Sequence, residues 1–273
     1  ERRDRAIMKA IVCVKQVPDT SGKVAVKADG TMDRASMATI TNPDDMNAIE
    51  AALKLKDETG CEVTVVSMGP PPAEGMLREL LAMGADKAVL VSGREFGGSD
   101  TYATSQILAA ALKKIGVDGE TVVFCGRQAI DGDTAQVGPQ IAEKLDLPQV
   151  TYVSELKAEG KSLTVQRMLE DGYMTIQVGL PCLLTCIKEL NEPRYMSVGG
   201  IVEAYNKPYE VYDFNTLKDD PLIDLDTIGL KGSPTNVYKS FSPPVKGAGM
   251  MLEGADKAAC DKLVSLLDGK HLI

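Results

Sequence analysis

The sequence predicts an α/β protein: a doubly wound, mostly parallel sheet, joined by added antiparallel strands and followed by an extended C-terminal arm ending in a helix. Three observations carry this reading. Near-continuous apolar runs alternate with amphipathic stretches from Met8 to Pro148, the pattern of strands covered by helices on both faces. Hairpin signals then replace the alternation. From Ala204 onward, Pro208, Pro221, Pro234, Pro243 and Pro244 interrupt short apolar pieces until a helical stretch near Ala255 to Leu267.

The elements follow in order. Glu1 to Ile7 read as an appended remnant, and Met8 as the natural start. Met8 to Val17 is a first strand, closed by Pro18 and Asp19. Asp29-Gly30 predicts a hairpin in the polar excursion that follows. Asn42 then suits a helix cap and Pro43 the first helical position, while Asp44 and Asp45 complement the positive helix end. Met46, Ile49 and Leu53 form the buried stripe of that helix and Gly60 its stop. Cys61 to Met68 is a β-branched strand, and Met76, Leu77, Leu80 and Leu81 mark a helix ending at Gly84. Lys87 to Ser92 is the next strand. A third helix starts near Ser99 and Asp100 and carries Ile107, Leu108, Ala111, Leu112 and Ile115 on one face. Thr121 to Gly126 is a fourth strand, followed by a helix with Ile141, Ala142 and Leu145. Gly160-Lys161 and Asp171-Gly172 predict hairpin turns. The chain divides into an α/β domain over 8–203 and an arm over 204–273 that buries little against itself and is expected to wrap a partner.

Composition narrows the function. The chain of 273 residues is 44% hydrophobic, which suits a substantial core, and its formal charge of −9 with scattered basic residues offers no face for nucleic acid. No apolar run reaches the roughly 20 residues of a membrane span and none reads as a signal core, so no membrane insertion and a cytoplasmic location are expected. The six cysteines contain no CxxC pair and lie mostly in apolar runs, so buried thiols are expected. Cys182 and Cys186, four residues apart on a strand, would stand roughly 13 Å apart, too far to bridge. His271 is the only histidine and sits in the tail, which excludes a Ser-His-Asp triad and a multi-histidine metal site. No catalytic residue and no metal ligand is assigned.

Ligands of open parallel sheets bind beyond the carboxyl ends of the strands, which directs attention to the loops after Val17, Met68, Ser92 and Cys125. Of these, Gly126 to Gly138 leaves a strand tip and enters a helix. Its small residues Gly132, Thr134, Ala135 and Gly138 would let backbone amides approach a phosphate, with the Thr134 hydroxyl and the helix end assisting. The plain alternative is a capped turn with Asp133 or Thr134 as N-cap. Gly97-Gly98-Ser99-Asp100-Thr101 divides in the same way between anion cradle and helix cap. Arg127 suits a phosphate, a flavin carbonyl or a surface ion pair. Neither a GxGxxG nor a Walker sequence occurs.

At this loop the sequence resembles the beta subunit of electron-transfer flavoproteins. Val14-Lys15-Gln16-Val17-Pro18-Asp19, Asn42-Pro43-Asp44-Asp45, Ser67-Met68-Gly69-Pro70, Leu81-Ala82-Met83-Gly84-Ala85-Asp86 and the Gln128 to Gly138 loop occur in the family's order. Val165-Gln166-Arg167 with Glu170-Asp171-Gly172 resembles its signature segment, and Asn191-Glu192-Pro193-Arg194-Tyr195 its partner-recognition loop. The resemblance implies an adenine-nucleotide-binding, flavodoxin- or HUP-like domain that pairs with a larger alpha subunit beneath a mobile flavin domain. It carries ligand contacts to Cys13, Asn42, Asp45, Met68 and Gly69, and along the loop to Gly126, Arg127, Gln128, Ala129, Ile130, Asp131, Gly132, Asp133, Thr134, Ala135, Gln136 and Val137.

Two positions depart from respiratory members: Met68, where many have Cys, and Asp131-Gly132-Asp133, where they have three acids, the glycine permitting closer ligand approach. Respiratory members hold AMP, whereas bifurcating members hold an FAD reduced by NADH. The Asp131 to Pro139 run and the Val17-Pro18-Asp19-Thr20 turn resemble the second group, so FAD is the expected cofactor, NADH the donor and AMP the alternative. One electron would pass to ferredoxin or flavodoxin. The other would pass through the alpha-subunit FAD to an acyl-CoA dehydrogenase-like flavoenzyme, docked on Asn191, Glu192, Pro193, Arg194, Tyr195, Met196 and the residues to Ile201. Read without the resemblance, Pro193 ends a strand, Arg194 is solvated and Tyr195 packs. A universal-stress-type nucleotide-binding regulator shares the α/β core but not the long arm, and a self-contained NAD-dependent dehydrogenase would need the dinucleotide fingerprint that is missing.

Overall fold

The computed structural model describes residues 8–19, 38–238 and 246–273, so Glu1 to Ile7 and the Asp29-Gly30 hairpin lie outside the described residues. The first apolar run divides into β1 (Lys9–Val14) and β2 (Gln16–Pro18), and β2 pairs antiparallel with β3 (Thr39–Thr41). The break falls at Lys15, whose amide donates to Asp45 Oδ2 at 2.8 Å while its carbonyl accepts from Asn42 N at 2.9 Å. Helix α1 (Pro43–Thr59) follows and stops at Gly60, whose left-handed φ of 77° lets its amide return to Lys56 O.

The winding continues through β4 (Glu62–Met68), α2 (Glu74–Met83), β5 (Lys87–Val91), α3 (Thr101–Ile115), β6 (Thr121–Gly126) and α4 (Val137–Lys144). The predicted hairpins appear as β7 (Gln149–Glu159), β8 (Ser162–Met168) and β9 (Tyr173–Gly179), and the chain re-enters the parallel sheet as β10 (Cys182–Cys186). The short helix α5 (Val198–Glu203), β11 (Tyr209–Tyr212), two single-turn helices α6 (Phe214–Leu217) and α7 (Gly229–Gly232), and α8 (Lys257–Asp268) complete the chain.

The sheet order is β11-β5-β4-β1-β6-β10-β7-β8-β9, parallel from β11 to β7 and antiparallel beyond. Alternate residues of its buried strands feed two cores. Ala10, Val12 and Val14 face α1 and α2, whereas Ile11 and Cys13 face α3 and α4. Tyr152 has φ 58°, a left-handed value that is an outlier for a bulky residue, and it sits where β7 changes partner from β10 to β8. Leu163, Val165 and Val178 of the antiparallel strands then join the α1-side core.

The segment from 204 packs on the domain for much of its length. β11 extends the sheet beside β5, and Tyr212, Leu217, Ile223 and Ile228 are buried on the α3 side. Gln106 donates to Leu222 O and Thr227 Oγ1. Helix α8, in contrast, buries no residue. The prolines and irregular spacing hid four core positions that a periodicity search passes over.

Candidate functional site

The winding runs from β1 to β4 and β5 on one side, then returns to β6 on the other side of β1. That reversal sets the carboxyl ends of β1 and β6 side by side, the usual ligand position in such sheets. Cys13, Asn42, Asp45, Met68, Gly69 and the loop from Gly126 to Val137 all gather there, although they are far apart in sequence.

The first turn of α1 shapes the loop. Asn42 does not cap its helix as expected: Nδ2 donates to Gln128 O at 2.8 Å, and Oδ1 accepts from Ile130 N at 3.0 Å. The Asn42 side chain thus completes the polar pairing of a loop that has no ladder partner. Asp45, buried below the surface, accepts from Lys15 N at 2.8 Å and Gly126 N at 3.0 Å, tying the ends of β1 and β6 together. Burial pushes its carboxyl up to about 7 even though these amides pull it down. Asp44 lies 3.2 Å from Arg127 Nε in an ion pair without good hydrogen-bond geometry; burial raises its carboxyl and Arg127 opposes the rise. Lys15 Nζ meets both oxygens of Asp131 at 2.7 and 2.9 Å, and Gln128 Nε2 donates to Asp133 Oδ1 at 2.8 Å. Gly126 is required by this packing, because a Cβ there would stand 2.3 Å from Asp45 Oδ1 and 2.7 Å from the α1 backbone.

Beyond this anchored part the loop rises to the helix. Ala135 adopts a left-handed φ of 52°, uncommon for a non-glycine residue, beside Asp133 at 49°, a region that Asp tolerates. Neither Asp133 nor Thr134 caps α4, which removes the capped-turn alternative. Gln136 occupies the cap position without bonding the helix, and its Oε1 accepts from Thr101 Oγ1 at 3.0 Å. The first amides of α4 are therefore left without a side-chain acceptor at a positive helix end. A Cβ on Gly138 would lie 2.9 Å from Thr185 Cγ2, so the glycine lets α4 settle onto β10. Gly132, expected to be the critical glycine, is neither left-handed nor crowded: no atom lies within 4 Å of its would-be Cβ. The steric demand sits six residues earlier, at Gly126.

The remaining sites resolve as follows. Cys13 and Cys125 are register partners on β1 and β6, and hydrogen bonding with Cys13 together with burial holds the Cys125 thiol well above its usual range. Burial also raises Cys182, to about 12, and Cys186. Buried and held in the thiol form, these cysteines are not placed to act as nucleophiles. Met68 ends β4 half-buried, and Gly69 N donates to Val91 O. At the second glycine stretch the cap reading holds: Asp100 accepts from Ala103 N at 3.0 Å, and Leu230 closes over Gly98.

Between Asn191 and Ile201 the roles separate. Asn47 Nδ2 donates to Asn191 O at 2.8 Å, and Asn191 Nδ2 donates to Asn47 O at 3.0 Å. Arg194 is only partly solvated, its guanidinium paired with Glu50 and Asp57 of α1. Tyr195 does not pack: it is 97% exposed, beside exposed Met196, Val198, Ile201, Val202 and Tyr205. Sequence reasoning gave no role to Lys15, Asn47 or Glu50. For Asn47 and Glu50 the available signal was polar residues spaced i, i+3 next to the apolar stripe of α1, which marks a helix face buried against something polar. No helix among the described residues is long and apolar enough to cross a membrane.

The profile of the electron transfer flavoprotein domain matches residues 29–216. The chain is 67% identical over 267 residues to the acryloyl-CoA reductase electron transfer subunit gamma of Anaerotignum propionicum, covering 97% of this chain and 100% of that one. It is 54% identical over 268 residues to the caffeyl-CoA reductase-Etf complex subunit CarD of Acetobacterium woodii, with the same coverage. The electron transfer flavoprotein subunit beta of Clostridium acetobutylicum is 51% identical over 266 residues, again covering 97% and 100% of the two chains.

Proposed function

The chain belongs to the electron transfer flavoprotein family, aligning along nearly its whole length with beta subunits, and we propose that it binds FAD at the carboxyl ends of β1 and β6 and works as the NADH-oxidising half of a heterodimer. The observation that carries the reading is the pre-formed cradle, in which Asn42 and Asp45 fix the loop from Gly126 to Ile130 while α4 begins with uncapped amides.

The residues suit a diphosphate. Lys15 and Arg127 are already neutralised by Asp131 and Asp44, so the anion would meet backbone amides from Thr134 to Gly138 and the Thr134 hydroxyl, the way helix starts hold phosphates. Pro139 has no amide, so the helix itself contributes only the amides of Val137 and Gly138. The flavin, when bound, supplies hydride acceptance and electron transfer; the chain orients it and sets its surroundings. Asn42, Asp44 and Asp45 act one step removed, on the loop.

Electrons would leave in two directions, one to ferredoxin or flavodoxin and one through an alpha-subunit FAD to an acyl-CoA dehydrogenase-like flavoenzyme. The printed names of the acryloyl-CoA and caffeyl-CoA reductase relatives support an acceptor that acts on acyl-CoA. The exposed group around Tyr195 supports its docking there, since aromatic side chains are effective anchors for a transient interface. Helix α8, with nothing buried, supports an arm that wraps the alpha subunit, and the complex would work in the cytoplasm. Acid release of the nucleotides from the purified complex tests the cofactor: two FAD per heterodimer are expected, and one FAD with one AMP would overturn the FAD reading.

A further inference from the structure

The docking loop and the nucleotide loop are mounted on one helix. The first turn of α1 holds the nucleotide loop through Asn42 and Asp45. One turn further on, Glu50, only 3% exposed, receives three hydrogen bonds from a single residue: Arg194 N at 3.0 Å, Nε at 2.9 Å and Nη2 at 3.0 Å. Arg194 Nη2 also reaches Asp57 Oδ2 at 2.7 Å, and the Asn47–Asn191 pair lies beside this contact. A buried carboxylate is costly unless it is paired and fully hydrogen-bonded, so Glu50 is satisfied only when the loop is seated. The far end of the exposed apolar segment is fixed as well. Arg78 Nη1 donates to Ala204 O at 3.0 Å, and α5 presses so closely on α2 that a Cβ on Gly200 would stand 2.1 Å from Ala82 O.

We propose that Glu50 is a positioning residue for electron delivery: its carboxylate locks Arg194 against α1, so that Tyr195 and its neighbours are held out for the acceptor at a fixed place relative to the nucleotide loop. The functional half of this rests on the docking reading above; the lock itself does not. Arg194 contributes as the peg and not as a contact, and its planar fork suits it for gripping a carboxylate from two nitrogens while its own amide binds the same group. Tyr195, the next residue, then leaves the protein surface with its direction already set.

Trypsin reports on the lock directly, because cleavage after Arg194 requires the guanidinium to leave Glu50 and enter the protease pocket. In the purified complex that bond is expected to resist trypsin. Glu50→Gln should accelerate cleavage there by about ten-fold or more relative to the other basic sites, since the open population of a segment sets its cleavage rate. Arg194→Lys remains a trypsin site, leaves α1 untouched and should show the same acceleration, which covers the case in which Glu50→Gln does not fold. Unchanged cleavage in Arg194→Lys, or in a folded Glu50→Gln, overturns the proposal. With the acceptor dehydrogenase, Glu50→Gln should raise the apparent KM several-fold at unchanged nucleotide content. An unchanged KM alongside a raised KM in Tyr195→Ala would overturn the positioning role. An unchanged KM in Tyr195→Ala would instead refute the docking reading, leaving the lock to be judged by cleavage.

Discussion

Replacing Gly126 with alanine is the sharpest test of how the cradle is built. The added Cβ would stand 2.3 Å from Asp45 Oδ1 and 2.7 Å from both Asp44 C and Asp45 N. Two of these atoms are backbone, so no rotamer change relieves the contact, and either α1 or β6 must move. Overpacking of this kind costs about 1–3 kcal/mol. The shift also stretches the 3.0 Å bond from Gly126 N to the Asp45 carboxylate, whose loss costs a further ~1.5–3 kcal/mol. Together these give about 3–6 kcal/mol, or a fall in Tm of roughly 5–10 °C for a chain of this size. Gly132→Ala is the matched control: its Cβ meets nothing within 4 Å, so its stability should stay within about 0.5 kcal/mol of the parent. Thermal unfolding by circular dichroism and denaturant midpoints would measure both. A Gly126→Ala loss below about 1 kcal/mol, or equal losses at the two positions, would refute the reasoning.

Asn42→Ala removes the acceptor for Ile130 N and the donor to Gln128 O, so it should cost about 2–3 kcal/mol and speed amide exchange in the loop from Gly126 to Asp133, as hydrogen-exchange mass spectrometry would show. Asp45 has a folded carboxyl near 7 against an ordinary value of 3.8, so the folded state holds its proton more tightly. Its contribution to stability is therefore complete below about pH 4, falls as pH rises toward 7 and is flat above; about 4 kcal/mol is the upper bound. Urea midpoints at pH 5 and pH 8 should differ less in Asp45→Asn than in the parent, by that component, and an identical pH response would contradict the assignment. Thr134→Val should weaken nucleotide binding by roughly 1–3 kcal/mol in calorimetry and leave the Tm of the nucleotide-free protein unchanged.

What could be read in advance follows from how each feature is encoded. The alternation of apolar runs and amphipathic helices located β1, β4, β5, β6 and α1 to α4, because strands buried on both faces and helices with one apolar face leave regular spacings. The turns at Gly160-Lys161 and Asp171-Gly172 were legible because turn chemistry is local. β11 and the buried Ile223 and Ile228 were not, since their burial depends on a distant sheet edge and on Gln106. The loop from Gly126 to Gly138 was locatable from its position after β6, yet its controlling contacts were not. Asn42, placed where helix caps occur, turns its side chain to residues 86 and 88 positions away. The choice between Gly126 and Gly132 depends likewise on how closely α1 approaches β6, a distance that no spacing in the sequence records.

The central claim is that this site holds a flavin which NADH reduces. Anaerobic mixing of the purified complex with NADH in a stopped-flow spectrophotometer, following flavin absorbance, tests it most directly. Rapid bleaching of an FAD, diminished in Thr134→Val in proportion to the FAD lost, is the predicted result; an absorbance that NADH leaves unchanged would contradict it.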